Sequence, residues 1–385
     1  MKVSKLADRV TPSKGRQLFN LASKYDNVIN LTLGDPDLIT PMSLREAGCN
    51  AIMEGRTRYS ANAGLLELRE AYADFINKSF NKNYSADNQV IITVGGMEAL
   101  YLAMLSAIDP EDEVIIFSPY YINYYQMIEM CGGKAVLVST TEEDGFIPRL
   151  ENIKNSITPK TKMIVINSPS NPTGVVYNSE VINGIVKLAK ENNILLISDE
   201  VYSPLVYEGV EHFSVLQSVV DYKDILVIDS CSKRFSMTGW RVGIATGPSE
   251  WIAAMTKLQE NIAACAPLPS QYAAIEAFKN MPDMKQYVET FKKRRDALVQ
   301  SLSKTDKLSF TVPKATFYLF VNIEKTKKTS MDFAIELLKA KQVAVVPGIA
   351  YGDEFDNYIR IAFTLDEKEL VKAAEKMIEF VEEID

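Results

Sequence analysis

Short apolar runs recur through the first two thirds of this 385-residue chain, and stretches with a helical pattern separate several of them. The runs span residues 89–94, 113–117, 135–138, 162–166, 194–197, 225–228 and 242–246. Continuous apolar runs of this length are typical of strands buried on both faces. The helical stretches are 97–108, 121–130 and 179–191, the last with Asn178 or Ser179 as its N-cap. This alternation predicts an α/β fold whose mostly parallel sheet is sandwiched by helices.

The pattern changes after about residue 280. A long charged helix at 284–303 precedes apolar runs and two further helices, the last beginning near Asp366. The runs are 308–313, 316–323, 342–347 and 358–363, of which the last two are predicted as strands, and a helix is predicted at 330–339. We expect a smaller α+β domain of residues 1–42 and 281–385 beside a large domain of residues 43–280.

Composition excludes several classes of protein. The formal net charge of −8 argues against an extended surface for nucleic acid or anionic membrane. The N-terminus has no signal-peptide pattern, and no apolar run reaches the ~18 residues of a membrane span. The four cysteines are scattered without metal-ligand spacing, so we interpret them as free thiols. We therefore expect a cytoplasmic protein that binds neither nucleic acid nor membrane.

The single histidine, His212, has no partner motif beside it. We interpret it as a surface or strand-edge residue, and we expect neither a histidine-based catalytic triad nor a metal site.

Small and polar residues follow five of the predicted strands. They are the Gly95–Gly96 pair, 118–121, 167–174, 198–202 and 229–233. Because ligand sites of α/β sheets lie outside the carboxyl ends of the strands, these residues are expected to form one pocket. The pocket would contain a lysine, Lys233, and a carboxylate, Asp199.

One side of this pocket suits a phosphate group. Gly95 and Gly96 allow close backbone approach, and the helix that starts there offers free N–H groups. Ser230, Ser232 and Arg241 add hydroxyls and a charged guanidinium.

The other side suits an aromatic ring and a reactive carbon. Tyr121 offers a flat face, and Asp199 offers a carboxylate for a protonated ring nitrogen. Burial and the nearby Arg241 disfavour the charged form of Lys233, which makes it a nucleophilic amine. Phosphate, ring, ring nitrogen and amine-reactive carbon are the features of pyridoxal 5′-phosphate, which accepts electrons from its substrates.

The sequence resembles the class I aminotransferases of the fold-type I pyridoxal-phosphate enzymes, the aspartate/aromatic aminotransferase group. The likeness covers nearly the whole chain. It rests on LTLGDPDLITP (31–41), TRYSANAGLLELREA (57–71), TVGGMEAL (93–100), SPYYINY (118–124), NSPSNPTG (167–174), SDEVY (198–202), SCSKRFSMTGWRVG (230–243), VVPG (345–348) and YIRIAF (358–363). These motifs occur in the order of the family.

The resemblance implies the catalytic roles. Lys233 resembles the lysine that forms the internal Schiff base and transfers the proton of the substrate Cα. Asp199 resembles the partner of the pyridinium nitrogen. Tyr202 and Asn171 resemble hydrogen-bond partners of the phenolate oxygen, and Tyr121 stands where an aromatic residue stacks on the ring.

The resemblance also implies binding roles. The cofactor-binding residues would further include Gly95, Gly96, Met97, Ser230, Ser232 and Arg241. Arg360, with Gly34 and Asn171, resembles the clamp on the substrate α-carboxylate. Tyr59 resembles the tyrosine that reaches the phosphate of the partner subunit, which implies a homodimer with a shared active site.

Met97 departs from the pattern of the subgroup. Many members that act on acidic substrates have a lysine after the glycine pair, and it grips the distal carboxylate. With Met97 the pocket is less basic, so strict aspartate specificity is not expected, and a thioether tolerates apolar substrates.

Tyr124 is interpreted as a residue of helix packing and not as a site residue.

The function implied is transfer of the amino group of an L-amino acid to a 2-oxo acid, 2-oxoglutarate, by a ping-pong mechanism. Two alternatives remain open. A carbon–sulfur β-lyase or related synthase would use the same Lys233, Asp199 and Arg360, although the MTGWRVG continuation favours transamination. A non-enzymatic regulator on the same fold is disfavoured because both Lys233 and Asp199 are present.

Overall fold

A seven-stranded sheet forms the centre of the computed structural model, which describes residues 3–10, 14–207 and 209–384. From one edge to the other its strands are β2 (Val90–Thr93), β8 (Gly243–Thr246), β7 (Ile225–Ser230), β6 (Leu195–Asp199), β5 (Thr161–Asn167), β3 (Glu113–Ser118) and β4 (Lys134–Ser139). β8 is antiparallel to both of its neighbours, whereas the other neighbouring pairs are parallel. The prediction of a mostly parallel sheet is therefore confirmed.

The carboxyl ends of five strands meet at one edge of this sheet. β2 and β7 are both antiparallel to β8, so both point in the same direction as β3, β5 and β6. Four strands extend past their predicted ends and include Ser118, Asn167, Asp199 and Ser230 as their last residues. Because Asn167 pairs with Asp199 within the sheet, backbone hydrogen bonds fix the positions of these polar side chains.

Helices cover both faces of the sheet. They are α3 (Met42–Met53), α4 (Leu66–Phe80), α5 (Gly95–Leu105), α6 (Asn123–Met130), α7 (Leu150–Ser156), α8 (Ser179–Glu191), α9 (Cys231–Arg234), α10 (Ser249–Ile262) and α11 (Leu268–Lys279). Alternate residues of β5 pack on opposite sides: Ile164 with the core that includes α8, and Met163 with the core that includes α5. The predicted bounds of α8 are confirmed, and Asn178 is its N-cap, with Oδ1 3.0 Å from the Val181 nitrogen.

A second group of elements joins the two ends of the chain. It contains α1 (Lys5–Arg9), α2 (Lys14–Ala22), β1 (Ile29–Asn30), β9 (Ser309–Phe310), β10 (Tyr318–Asn322), β11 (Val343–Ala344), β12 (Val346–Pro347), β13 (Tyr358–Ala362), α12 (Lys285–Leu302), α13 (Ser330–Lys341) and α14 (Glu367–Glu382). β12, β13, β10 and β9 form an antiparallel sheet, and β1 pairs in parallel with β11. This pairing supports our proposal that residues 1–42 belong to the same domain as residues 281–385.

The run at 342–347 was predicted as one strand, and that prediction is wrong. β11 pairs with β1, whereas β12 pairs with β13, so the run divides at Val345 between two sheets. An apolar pattern identifies buried backbone but not the partner of each segment, which explains the error.

Within the described residues, no helix is long and apolar enough to cross a membrane. Cys49, Cys131, Cys231 and Cys265 are free thiols, as the sequence predicts.

Candidate active site

A cavity of about 490 Å³ opens at the edge where the five strands end. Twelve of the predicted site residues line it: Gly34, Gly96, Met97, Tyr121, Asn171, Asp199, Tyr202, Ser230, Ser232, Lys233, Arg241 and Arg360. Gly95 and Tyr59 do not. The lining also contains residues that the sequence did not single out, among them Thr32, Asp35, Asn123, Asn167 and Tyr318. Asn167 could have been found because it ends a strand, whereas Tyr318 carries no local signal.

Lys233 lies on α9, the single helical turn that follows β7. Its Nζ donates a hydrogen bond to the Gly34 carbonyl at 2.6 Å. Burial lowers the pKa of Lys233 to about 8; the nearby Asp35 opposes this shift, while Arg360 and Arg241 add to it. About a tenth of this amine is therefore neutral, and hence nucleophilic, at pH 7.

Asp199 is the last residue of β6 and is buried. The Tyr124 hydroxyl donates to its Oδ2 at 2.5 Å, and the Val201 N–H donates to its Oδ1 at 3.3 Å. Burial raises the pKa of Asp199 to about 6, and these two hydrogen bonds oppose the rise. The carboxylate is thus ionised at neutral pH. Tyr124 packs in the core on α6, as interpreted from the sequence, and its hydroxyl in addition bonds the Asp199 carboxylate, which the sequence did not predict.

His212 is not a surface residue, which corrects the interpretation from the sequence. Its side chain is 10% exposed, and its Nε2 lies 3.0 Å from Oε2 of the buried Glu200. Burial raises the pKa of Glu200, but His212 and the hydrogen bonds around the carboxylate outweigh it and leave that pKa below its ordinary value. Glu200 is thereby held as an anion beside Asp199, outside the cavity lining.

The start of α5 and Arg241 form the side of the cavity suited to a phosphate. Gly95 has a φ of +80°, and a Cβ there would lie 2.3 Å from Nη2 of Arg241. The missing side chain therefore makes room for the guanidinium, which donates to the carbonyls of Thr238 at 2.9 Å and Val94 at 3.3 Å. The first N–H groups of a helix have no partner within it, so α5 presents donors to an anion at this point.

Ser230 and Ser232 border the same side. The Ser230 hydroxyl donates to the Val242 carbonyl and accepts from the Ser232 N–H, both at 3.1 Å. The two side chains line the cavity next to Gly96 and Arg241. Backbone donors, hydroxyls and a guanidinium together make a set of groups that fits a phosphate.

Tyr202 and Asn171 also line the cavity. The Tyr202 hydroxyl lies 2.9 Å from the Tyr318 hydroxyl. The Asn171 N–H donates to Oδ1 of Asn167 at 2.9 Å, and the Asn167 amide in turn donates to the Asp199 carbonyl at 3.3 Å. Two strand ends are thus tied together around Asp199.

Arg360 on β13 is buried, with 6% of its surface exposed. Its Nη2 donates to the Thr32 carbonyl at 2.6 Å, its Nη1 donates to Oδ1 of Asn171 at 3.4 Å, and its Nε has no partner among the described atoms. The guanidinium lies 4.3 Å from the ring centre of Tyr318. A buried guanidinium with donor capacity to spare is suited to a carboxylate ligand.

Gly34 brings its backbone close to the same tyrosine. A Cβ at this position would lie 1.8 Å from the Tyr318 hydroxyl. A glycine is required here so that its carbonyl can reach Lys233 while Tyr318 stays beneath Arg360.

Tyr59 does not line this cavity, and it is 86% exposed. Its predicted role concerns the partner subunit and stays a prediction.

These features test whether pyridoxal 5′-phosphate fits. The cavity has the volume of a typical cofactor pocket. It combines phosphate donors, the Tyr121 ring, an ionised carboxylate and a lysine amine of lowered pKa. The fold and site together define a pyridoxal-phosphate-dependent enzyme of fold-type I.

Comparison with known proteins assigns the family. Residues 26–377 match the family model of the class I and II aminotransferases, and the chain belongs to that family. It is 38% identical to the putative aminotransferase YugH of Bacillus subtilis over 98% of both chains. It is also 38% identical to an aspartate aminotransferase of Thermotoga maritima, over 94% of this chain and 93% of the relative.

Solved structures agree with this assignment. The aspartate aminotransferase of Thermus thermophilus with maleate superimposes with a TM-score of 0.93 at 34% identity, over 98% of this chain and 99% of that one. The protein is a pyridoxal-phosphate-dependent aminotransferase, which confirms the predicted family, fold class, cofactor and reaction type. The lyase alternative receives no support from these relatives.

Proposed function

We propose that this aminotransferase takes the amino group from an L-amino acid and transfers it to 2-oxoglutarate, with Lys233 as the group that moves the proton. When bound, pyridoxal 5′-phosphate supplies an aldehyde that condenses with amines and a ring that accepts electrons. The observation that carries the proposal is a lysine of pKa about 8 in one cavity with the Asp199 carboxylate and the Arg360 guanidinium.

Lys233 acts as the base and then as the acid. Burial keeps part of its amine neutral, so Nζ can take the proton from the substrate Cα. The same Nζ then holds that proton until it is returned to carbon. The Gly34 carbonyl, 2.6 Å away, orients the amine.

Asp199 supplies the negative charge that keeps a proton on the ring nitrogen of the cofactor. Its pKa of about 6 leaves it ionised at pH 7, and Tyr124 orients it. Tyr202 and Asn171 are proposed to bond the ring oxygen on the other side. This electrostatic arrangement is preorganised because all of these groups are buried.

Arg360 is proposed to bind the substrate α-carboxylate, assisted by Asn171 and the backbone of Gly34. Gly96, Ser230, Ser232 and Arg241 are proposed to hold the phosphate, with Met97 beside them. Gly95 contributes by leaving space for Arg241.

We also propose a cytoplasmic homodimer in which each site is completed by Tyr59 of the partner copy. Several apolar side chains close to Tyr59 in sequence are strongly exposed in one chain, among them Ile52 at 54% and Met53 at 86%. A second copy that covers this surface would bury them and bring a phenol to the phosphate side.

The test is a half-reaction followed by absorbance. An amino acid alone should convert the bound cofactor once and then stop, and 2-oxoglutarate should restart turnover. Lys233→Ala should abolish the conversion, whereas Lys187→Ala, at an exposed position of α8, should not. Continuous release of ammonia or pyruvate from the amino acid alone would instead indicate a lyase. Aspartate, the substrate in the names of the Thermotoga and Thermus relatives, is the reference donor.

A further inference from the structure

One wall of the cavity is left over after the cofactor and the α-carboxylate have been assigned. It consists of Phe19, Ile122, Asn123 and Val346 together with the side chain of Met97, whose backbone follows Gly96 on the phosphate side, and we call it the side-chain wall. Val346 pairs directly with Arg360 between β12 and β13. The wall therefore begins next to the proposed carboxylate clamp, where the side chain of a bound amino acid would extend.

The wall is continuous between the two sheets. A Cβ placed on Gly15 of α2 would lie 3.1 Å from Cγ1 of Val346 and 3.8 Å from Cδ1 of Ile122. Ile122 in turn precedes Asn123 at the start of α6. Aliphatic groups thus lead from Arg360 to the amide of Asn123.

The charges of the cavity do not suit a second carboxylate. Among the side chains that the structure describes, the cations of the lining are Lys233, Arg241 and Arg360, and each already has a role. The lining also includes Asp35, whose Oδ1 accepts a hydrogen bond from Thr238 at 2.7 Å. A carboxylate on the substrate side chain would therefore have no cation of its own in the lining, and Asp35 adds a negative charge to the same cavity.

Asn123 is the hydrogen-bonding group of the wall. Its Nδ2 donates to the Tyr121 hydroxyl at 2.8 Å and lies 3.2 Å from the Met97 sulfur. A thioether is a weak acceptor, so the second N–H of Asn123 loses little when it leaves the Met97 sulfur and donates to a stronger acceptor. The amide can therefore donate a hydrogen bond to an oxygen of the substrate, or it can keep its contact with the Met97 sulfur.

We propose that Met97 and Asn123 form the substrate side-chain subsite, and that it prefers uncharged donors with aromatic, aliphatic or thioether side chains over acidic ones. With a dicarboxylate acceptor, the Asn123 amide turns from the Met97 sulfur to the distal carboxylate. One subsite must hold both kinds of side chain in alternate half-reactions. An amide suits both, whereas a fixed cation would be left unpaired beside an apolar side chain. The inference rests on the proposed function.

The experiment measures half-reactions of the holoenzyme with phenylalanine, methionine, aspartate and glutamate. The wild type should favour phenylalanine or methionine over aspartate by about tenfold or more in kcat/KM. Asn123→Leu should lower the ratio of kcat/KM for glutamate to that for phenylalanine by about 10- to 100-fold, the effect of one hydrogen bond to a charged group. Met97→Lys should raise the aspartate-to-phenylalanine ratio by about tenfold. Asn152→Leu, on the exposed side of α7, is the matched control and should leave both ratios as they are.

A binding measurement separates recognition from chemistry. Succinate and 3-phenylpropionate have no group that can react, so each should bind as a competitor of the substrates. Asn123→Leu should raise the dissociation constant of succinate about 10-fold relative to that of 3-phenylpropionate. The inference is overturned if the wild type prefers aspartate, or if Asn123→Leu weakens both ligands equally. In either case transamination itself would persist, whereas the absence of any half-reaction would refute the proposed function.

Discussion

Two buried aspartates stand near the ends of neighbouring strands and have different partners. Asp199 on β6 accepts a hydrogen bond from the neutral Tyr124 at 2.5 Å. Asp229 on β7 forms a buried ion pair with Arg234 at 2.8 Å and accepts from Tyr72 at 3.3 Å. A carboxylate with neutral partners keeps its charge available to a ligand, whereas a paired one stabilises the protein. The comparison distinguishes the carboxylate that we propose as catalytic, Asp199, from a structural one, Asp229, although in the sequence both are aspartates that follow an apolar run.

The largest effect is expected from Asp199→Asn. The amide has nearly the same size but no charge, so kcat should fall by about 1000-fold, as when a preorganised buried electrostatic contact is lost. The melting temperature should change little, since Asp199 has no cationic partner in the described chain to leave unpaired. Steady-state kinetics with thermal unfolding checks both parts. A variant that keeps more than a tenth of the wild-type kcat would contradict the assignment.

Asp229→Asn should act on stability instead. It leaves the Arg234 guanidinium buried without its counter-ion, which costs about 3–5 kcal/mol in the free energy of unfolding. Chemical denaturation measures this, and the double variant Asp229→Asn, Arg234→Met should recover much of the loss. If the double variant is no more stable than the single one, the ion pair is not the reason for the instability.

Tyr124→Phe tests the role of the Asp199 partner through the pH dependence of kcat/KM. The hydrogen bond from Tyr124 lowers the pKa of Asp199, which burial has raised to about 6, so its removal raises that pKa further. A higher pKa protonates the carboxylate at a higher pH, so the ratio of the variant's kcat/KM to that of the wild type should fall as the pH is lowered. Activity at pH 6 should fall by about 10-fold, with a smaller loss at pH 8. An equal loss at all pH values would indicate a purely structural role.

Tyr72→Phe is the matched change on the other aspartate and should have the smallest effect. It removes a 3.3 Å hydrogen bond from a carboxylate that keeps its arginine, at a cost of about 1 kcal/mol in unfolding free energy. The pH profile of kcat/KM should coincide with that of the wild type. If the pH profile of kcat/KM shifted in this variant, Asp229 would also affect the reaction.

The residues that we propose to hold the cofactor could be predicted from the sequence because most of them follow strands. Once apolar runs locate the strands, the residues after them must share one edge of a parallel sheet. Gly96, Asp199, Ser230 and Lys233 could be found in this way, and the structure brings them to one cavity.

The remaining contacts join residues far apart in the chain. Tyr124 reaches Asp199 across 75 positions, and Arg360 reaches Thr32 across 328. His212 carries no local sign of its pairing with Glu200, and the run at 342–347 carries none of its division between two sheets. Such contacts depend on how helices and sheets pack, which no short window of sequence contains.

The sequence by itself determined the class of fold, the cofactor and the residues at the strand ends, because alternation of apolar and polar residues fixes which backbone is buried and where it emerges. Only the tertiary structure decided the partners of each aspartate, the hydrogen bond between Lys233 and Gly34, and which residues meet in the side-chain wall. Those properties come from burial and from distances between side chains on separate elements, and they exist only once the chain has folded.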